Sequence, residues 1–175
     1  MKIMKMIYVA VLIMAVGSVN AAAPFGGDED VKYAKHLWTS MVNASYAGTD
    51  AIKSRPYTGQ HPHGAILDTI EGPINIDGKL YNIIIKRNYG GPGVSKDAVA
   101  NDPAKWLKAV TVMLKRPGYD PDTQDWFWAK FNADGSLATN PKGMMLAGKV
   151  AKGKPKGCIA CHTAAPGGDM MFLHD

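Results

Sequence analysis

Cys158, Cys161 and His162 are the residues of this chain whose types and spacing point most directly to chemistry. The sequence contains two cysteines, and both fall in Cys158-Ile159-Ala160-Cys161-His162. Two thiols on one short turn can add to the two vinyl groups on one edge of a porphyrin. The adjacent imidazole is then carried beneath the iron and can donate a ring nitrogen as proximal ligand. The spacing therefore predicts one covalently attached haem c, held by Cys158 and Cys161, with His162 on the iron. Two other uses of the motif fit less well. A thioredoxin-like dithiol usually opens a helix in a βαβ context, and nothing before Cys158 reads as a buried parallel strand. Structural zinc usually takes four Cys or His ligands. Here there is no second cysteine pair, and His174 is the one other histidine nearby.

The sixth iron position decides between electron transfer and small-ligand chemistry, because a Met or His there favours the first and an open face the second. Among the ten methionines, Met144, Met145, Met170 and Met171 are nearest to the motif in sequence. Methionines in such positions commonly fill core gaps. His61 and His63 are the best histidine candidates, with a structural role at a strand start as the plainer reading. Asp68, Glu71 and Asp125 are carboxylates on or near strands, and none reads as a catalytic acid or base. Lys149, Lys152, Lys154 and Lys156 form a modest basic run before the motif. It is either a solvated linker or a docking patch for an acidic redox partner.

The chain begins like a secretory signal, with Lys2 and Lys5 ahead of an apolar stretch and small residues at Ala21, Ala22 and Ala23. Residues 1–22 are expected to be cleaved, leaving residues 23–175 as a single domain in the periplasm with no membrane span. Export agrees with the cysteine motif, since c-type haem is attached outside the cytoplasm. The net charge of +5 is scattered, and no aromatic-basic interleaving suggests nucleic acid.

Ala34, Leu37, Trp38 and Met41 fall at helical spacing, behind an acidic start at Asp28, Glu29 and Asp30. A helix is expected over about residues 30–46. A strand follows at residues 64–70, then turn signals at Gly72-Pro73 and Asp77-Gly78. Residues 80–86 form the strongest strand, its run Ile83-Ile84-Ile85 suited to burial on both faces. After a glycine-rich loop at residues 88–95, residues 105–115 and 124–132 read as an antiparallel hairpin. Trp126, Phe127, Trp128 and Phe131 put aromatics on both faces of its second strand. Residues 140–156 should return the chain to the sheet before a short helical turn carries the haem motif. The expected fold class is α+β, a mainly antiparallel sheet with an N-terminal helix and a C-terminal haem-binding segment.

The motif near the C-terminus is followed by Asp169-Met170-Met171-Phe172. His63-Gly64 opens a strand, Ile85-Lys86 ends one, and Asp125-Trp126-Phe127-Trp128-Ala129-Lys130 lies in the last hairpin. In this order the residues resemble the cytochrome P460 family, which shares its fold with cytochromes c′-beta. The resemblance runs from about His61 to Phe172. It implies a mainly antiparallel β fold, a periplasmic and often dimeric protein, and one haem with an open distal face. Some members oxidise hydroxylamine or nitric oxide, with a lysine bonded to a meso carbon of the porphyrin. The matching residue here is Lys86. A lysine ending an apolar strand could be a desolvated nucleophile at a haem edge, or it could snorkel out or pair with a propionate. Two further activities fit the same residues: binding of nitric oxide without turnover, and electron transfer by a six-coordinate haem passing electrons to a partner protein.

Overall fold

The computed structural model describes residues 25–172. The signal-like segment and His174 lie outside the described residues.

Helix α1 (Asp28–Asn43) buries Ala34, Leu37 and Met41 along one stripe, with the three acidic residues in its first turn. It stops before Tyr46, the expected end. Ser45 turns left-handed at φ 57, and the amides of Tyr46 and Ala47 both bond back to the Met41 carbonyl.

Six strands lie in the order of the sequence, each antiparallel to the next. They are β1 (Tyr57–Thr58), β2 (Ile66–Ile76), β3 (Lys79–Tyr89), β4 (Leu107–Lys115), β5 (Trp126–Asn132) and β6 (Ala147–Gly148). The expected turn at Gly72-Pro73 is instead the middle of β2, paired with Ile83 and Asn82. β1 covers β2 only at Ile66 and Leu67, so Pro73 lies on an open edge where a missing N–H costs no ladder bond. Its carbonyl accepts from the Tyr46 hydroxyl at 2.9 Å. The true turn is Asp77-Gly78, with φ of 52° and 81°, the two-residue hairpin geometry that favours this pair.

β3 also runs further than expected. Lys86 is an interior residue, paired with Thr69 and Thr111, and the strand continues to Tyr89. The polar residues after Lys86 stay in the ladder because they find partners across it: Arg87 meets Asp68, and Asn88 bonds the Ala109 carbonyl. Two short helices, α2 (Lys96–Asn101) and α3 (Pro103–Trp106), precede β4. Ser95 and Asp102 cap them by accepting from Ala98 and Lys105 amides.

Side chains alternate across the sheet, and both faces are covered. Ile83, Ile85, Val110, Val112, Leu114, Phe127 and Phe131 face α1 and pack on Leu37 and Met41. Ile84, Met113, Trp126 and Trp128 point the other way, onto Val150, Ile159 and Met170. The continuous isoleucine run is thus buried on both sides, and the C-terminal segment covers the face opposite α1. The fold is α+β and mainly antiparallel. Among the described residues no helix is long and apolar enough to cross a membrane.

Candidate haem site

Cys158 to His162 form one short helix, α4 (Cys158–His162). Buried Ile159 anchors it, its amide bonding the Val150 carbonyl at 3.3 Å. Gly157 turns the chain into it at φ 129, and a Cβ there would lie 2.3 Å from the Cβ of Ala151. Only glycine fits this entry. Both thiols are free, Cys158 half-buried and Cys161 exposed. Burial pushes the Cys158 thiol up, partly offset by the charge of Lys130.

His162 is buried, and its Nδ1 lies 2.7 Å from the Met170 carbonyl oxygen. A carbonyl can only accept, so Nδ1 carries the proton and Nε2 is left with its lone pair. The chain holds Met170 in place for this. Met170 is left-handed at φ 64, the Met171 amide bonds the Asp169 carboxylate, and Trp126 and Gln124 donate to the carbonyls of Asp169 and Gly168. Rings of Trp128, Phe172 and His63 surround the imidazole, with centroids at 4.8, 5.3 and 6.2 Å. Burial lowers the His162 pKa, the Met170 bond raises it in part, and the Lys86 charge lowers it further.

The site gathers two of the other candidates. Lys86 is half-buried, and its Nζ donates to the Phe172 carbonyl at 2.7 Å. Burial lowers its pKa. His63 is held by Asn88. The Asn88 side-chain nitrogen donates to the carbonyls of Lys86 and Ala109 and to Thr111 Oγ1, so its oxygen is the atom facing His63 Nδ1 at 3.2 Å. His63 therefore also keeps its proton on Nδ1 and bares Nε2. Burial first, then the Lys86 and His162 charges, push its pKa down to about 4.

A comparison with protein-family models matches Cytochrome P460 over residues 78–173, more than half of the chain. This chain belongs to the cytochrome P460 family. Members of the family bind haem c covalently, so it is a c-type haem protein. No curated protein and no solved structure matches the chain.

The donor set suits the cytochrome P460 cofactor: two free thiols, a histidine with a bare Nε2, and an apolar wall of Trp126, Trp128 and Ile84. The wall also holds an orphan. Trp128 Nε1 is buried with no partner among the described residues. An unpaired buried donor is costly, and a bound group bringing an acceptor would relieve it.

Other candidates fall elsewhere. Met170 contributes its backbone to the site, while its side chain is core. Met144 and Met171 pack on the same cluster, and Met145 is partly exposed. His61 is exposed. Asp68 is buried on the far face with Arg87, Glu71 is exposed, and Asp125 accepts from the Asp120 amide. The basic run is not a free patch throughout. Lys149 and Lys152 are paired with Asp120, and Lys152 also with Asp122, while Lys154 and Lys156 are exposed. Sequence reasoning missed the Met170 carbonyl and Asn88, whose roles depend on backbone and amide orientation that no motif encodes.

Proposed function

We propose that this protein is an exported, periplasmic haem protein that oxidises small nitrogen species, hydroxylamine or nitric oxide, and passes the electrons to a partner protein. Residues 1–22 would be the export signal and residues 23–175 the single haem domain. The observation that carries the assignment of the iron ligand is the Met170 carbonyl on His162 Nδ1, which leaves Nε2 as the coordinating nitrogen. Cys158 and Cys161 would form the thioethers. When bound, the haem supplies an iron that can take a nitrogen ligand and exchange single electrons. His162 would hold the iron through Nε2, with the Trp128 and Phe172 rings packed against its imidazole. Lys86 is the amine we assign to the family's porphyrin cross-link, since burial lowers its pKa and it is tied to the segment that carries Phe172. Exposed Lys154 and Lys156 are the cations available to an acidic redox partner.

A second reading has one observation in its favour. His63 presents a bare Nε2 with its ring 6.2 Å from that of His162, as a second axial ligand would. It makes the protein a six-coordinate electron carrier. Carbon monoxide added to the reduced protein separates the two: a shifted Soret band supports the open site, and no shift supports ligation by His63. Hydroxylamine-dependent reduction of an acceptor dye then tests turnover, and its absence in a protein that binds carbon monoxide would leave ligand binding alone.

A further inference from the structure

A cavity of about 460 Å³ opens on the sheet face that carries Lys86 and His63. Its polar lining comes from His63, Asn88, Lys108, Lys130, Asn132 and Thr139, and no carboxylate is among its lining residues. Lys108 lies at the start of β4. Lys130 is half-buried in β5, in the cross-strand row Lys86–Thr111–Lys130. Neither lysine forms an ion pair among the described residues. The cavity on the opposite face, of about 360 Å³, is different: Arg87 there is paired with Asp68, and a second carboxylate, Asp134, lines it beside Lys53. Two unmatched cations with the Asn132 amide and Thr139 hydroxyl beside them, in a concave wall, focus positive potential into the space. That arrangement is complementary to a small anion and disfavours a cation or an apolar group.

We propose that this cavity is an oxyanion-binding site for a planar, singly charged group, with Lys108 and Lys130 supplying charge-assisted hydrogen bonds. Two sources share that chemistry. One is a carboxylate of the haem itself. The other is free nitrite, the oxyanion reached when hydroxylamine gives up four electrons, or nitric oxide one, with water supplying the added oxygen and the electrons passing to the partner protein; this second source rests on the function proposed above.

The test uses the mature haem-loaded protein, the variant Lys108→Gln with Lys130→Gln, and Lys35→Gln on the exposed side of α1 as control. Nitrite binding is measured by calorimetry on the reduced, carbon-monoxide-saturated protein, so that binding at the iron does not contribute. The haem midpoint potential is measured in parallel. Free nitrite as occupant predicts saturable binding that weakens with salt and falls roughly tenfold or more in the double variant. A haem carboxylate as occupant predicts no saturable nitrite binding and a lower midpoint in the double variant, because lost positive charge favours the oxidised haem. The control should match the unsubstituted protein in both. Equal nitrite affinity and equal potential in the double variant and the unsubstituted protein would overturn the site. Neither readout needs turnover, so a failure of the hydroxylamine assay leaves this result interpretable.

Discussion

Asp68→Ala should be among the most damaging single changes in this protein, although it touches nothing at the haem site. Asp68 and Arg87 are 2% and 6% exposed, joined at 2.6 Å between Oδ1 and Nε. The other carboxylate oxygen accepts from the Tyr89 hydroxyl at 2.8 Å. Arg87 has one further bond, to the Ile52 carbonyl, and its Nη2 is buried without a partner. Among the described residues the guanidinium therefore has no second carboxylate to balance its charge. Removing one side of a buried pair costs about 3–5 kcal/mol. Stranding the Tyr89 hydroxyl adds about 1 kcal/mol or more. A loss of about 4–6 kcal/mol is a large part of the roughly 5–15 kcal/mol that holds a domain folded. With a urea slope of roughly 1–3 kcal/mol/M, the midpoint should fall by about 2 M. The assay is urea unfolding of the haem-loaded protein at neutral pH, followed by tryptophan fluorescence. The haem spectrum of the folded variant should be unchanged, because Arg87 points to the α1 face. Asp68→Leu with Arg87→Met removes both charges and should recover most of the loss. A single-variant cost under about 1 kcal/mol, or a double variant as unstable as the single, would refute the reasoning.

Cys158→Ala with Cys161→Ala should release the haem on denaturing acid-acetone extraction; haem that stays with the polypeptide would instead point to a bond at Lys86. Gly157→Ala places a Cβ 2.3 Å from Ala151 at φ 129, so the yield of haem-loaded protein should drop severalfold, and an unchanged yield would show that α4 tolerates another entry. Burial pushes the Asp120 carboxyl up, but bonds from Lys152 and Thr123 and the nearby Lys149 charge outweigh it and hold it below its ordinary 3.8. Stability from a depressed carboxylate is fully present above the ordinary value and is lost as pH falls through the folded one. Acid unfolding below pH 3.8 should therefore be steeper in the unsubstituted protein than in Asp120→Asn, and parallel curves would contradict the assignment.

Patterns that depend on local chemistry were legible in the sequence. The isoleucine run, the aromatic strand and the Asp77-Gly78 turn each carry their own periodicity or dihedral preference, and each lies where expected. Gly72-Pro73 misled because proline is tolerated on an open strand edge, and edge position is a property of the whole sheet. Lys86 misled in the same way: a charge after an apolar run reads as a strand end, but cross-strand partners for Arg87 and Asn88 carry β3 three residues further. At the site, the motif places Cys158, Cys161 and His162 on one turn. What orients His162 is a backbone carbonyl eight residues later, and backbone carbonyls are identical in every residue type. Asn88 likewise fixes the His63 tautomer only because three acceptors surround its amide nitrogen.

The central claim is that His162 binds the iron through Nε2. The most direct measurement is the resonance Raman spectrum of the reduced protein with ¹⁵N-labelled histidine. The claim predicts an isotope-sensitive iron–histidine stretch that vanishes in His162→Gly and returns when imidazole is added. The same stretch persisting in His162→Gly without imidazole would contradict it.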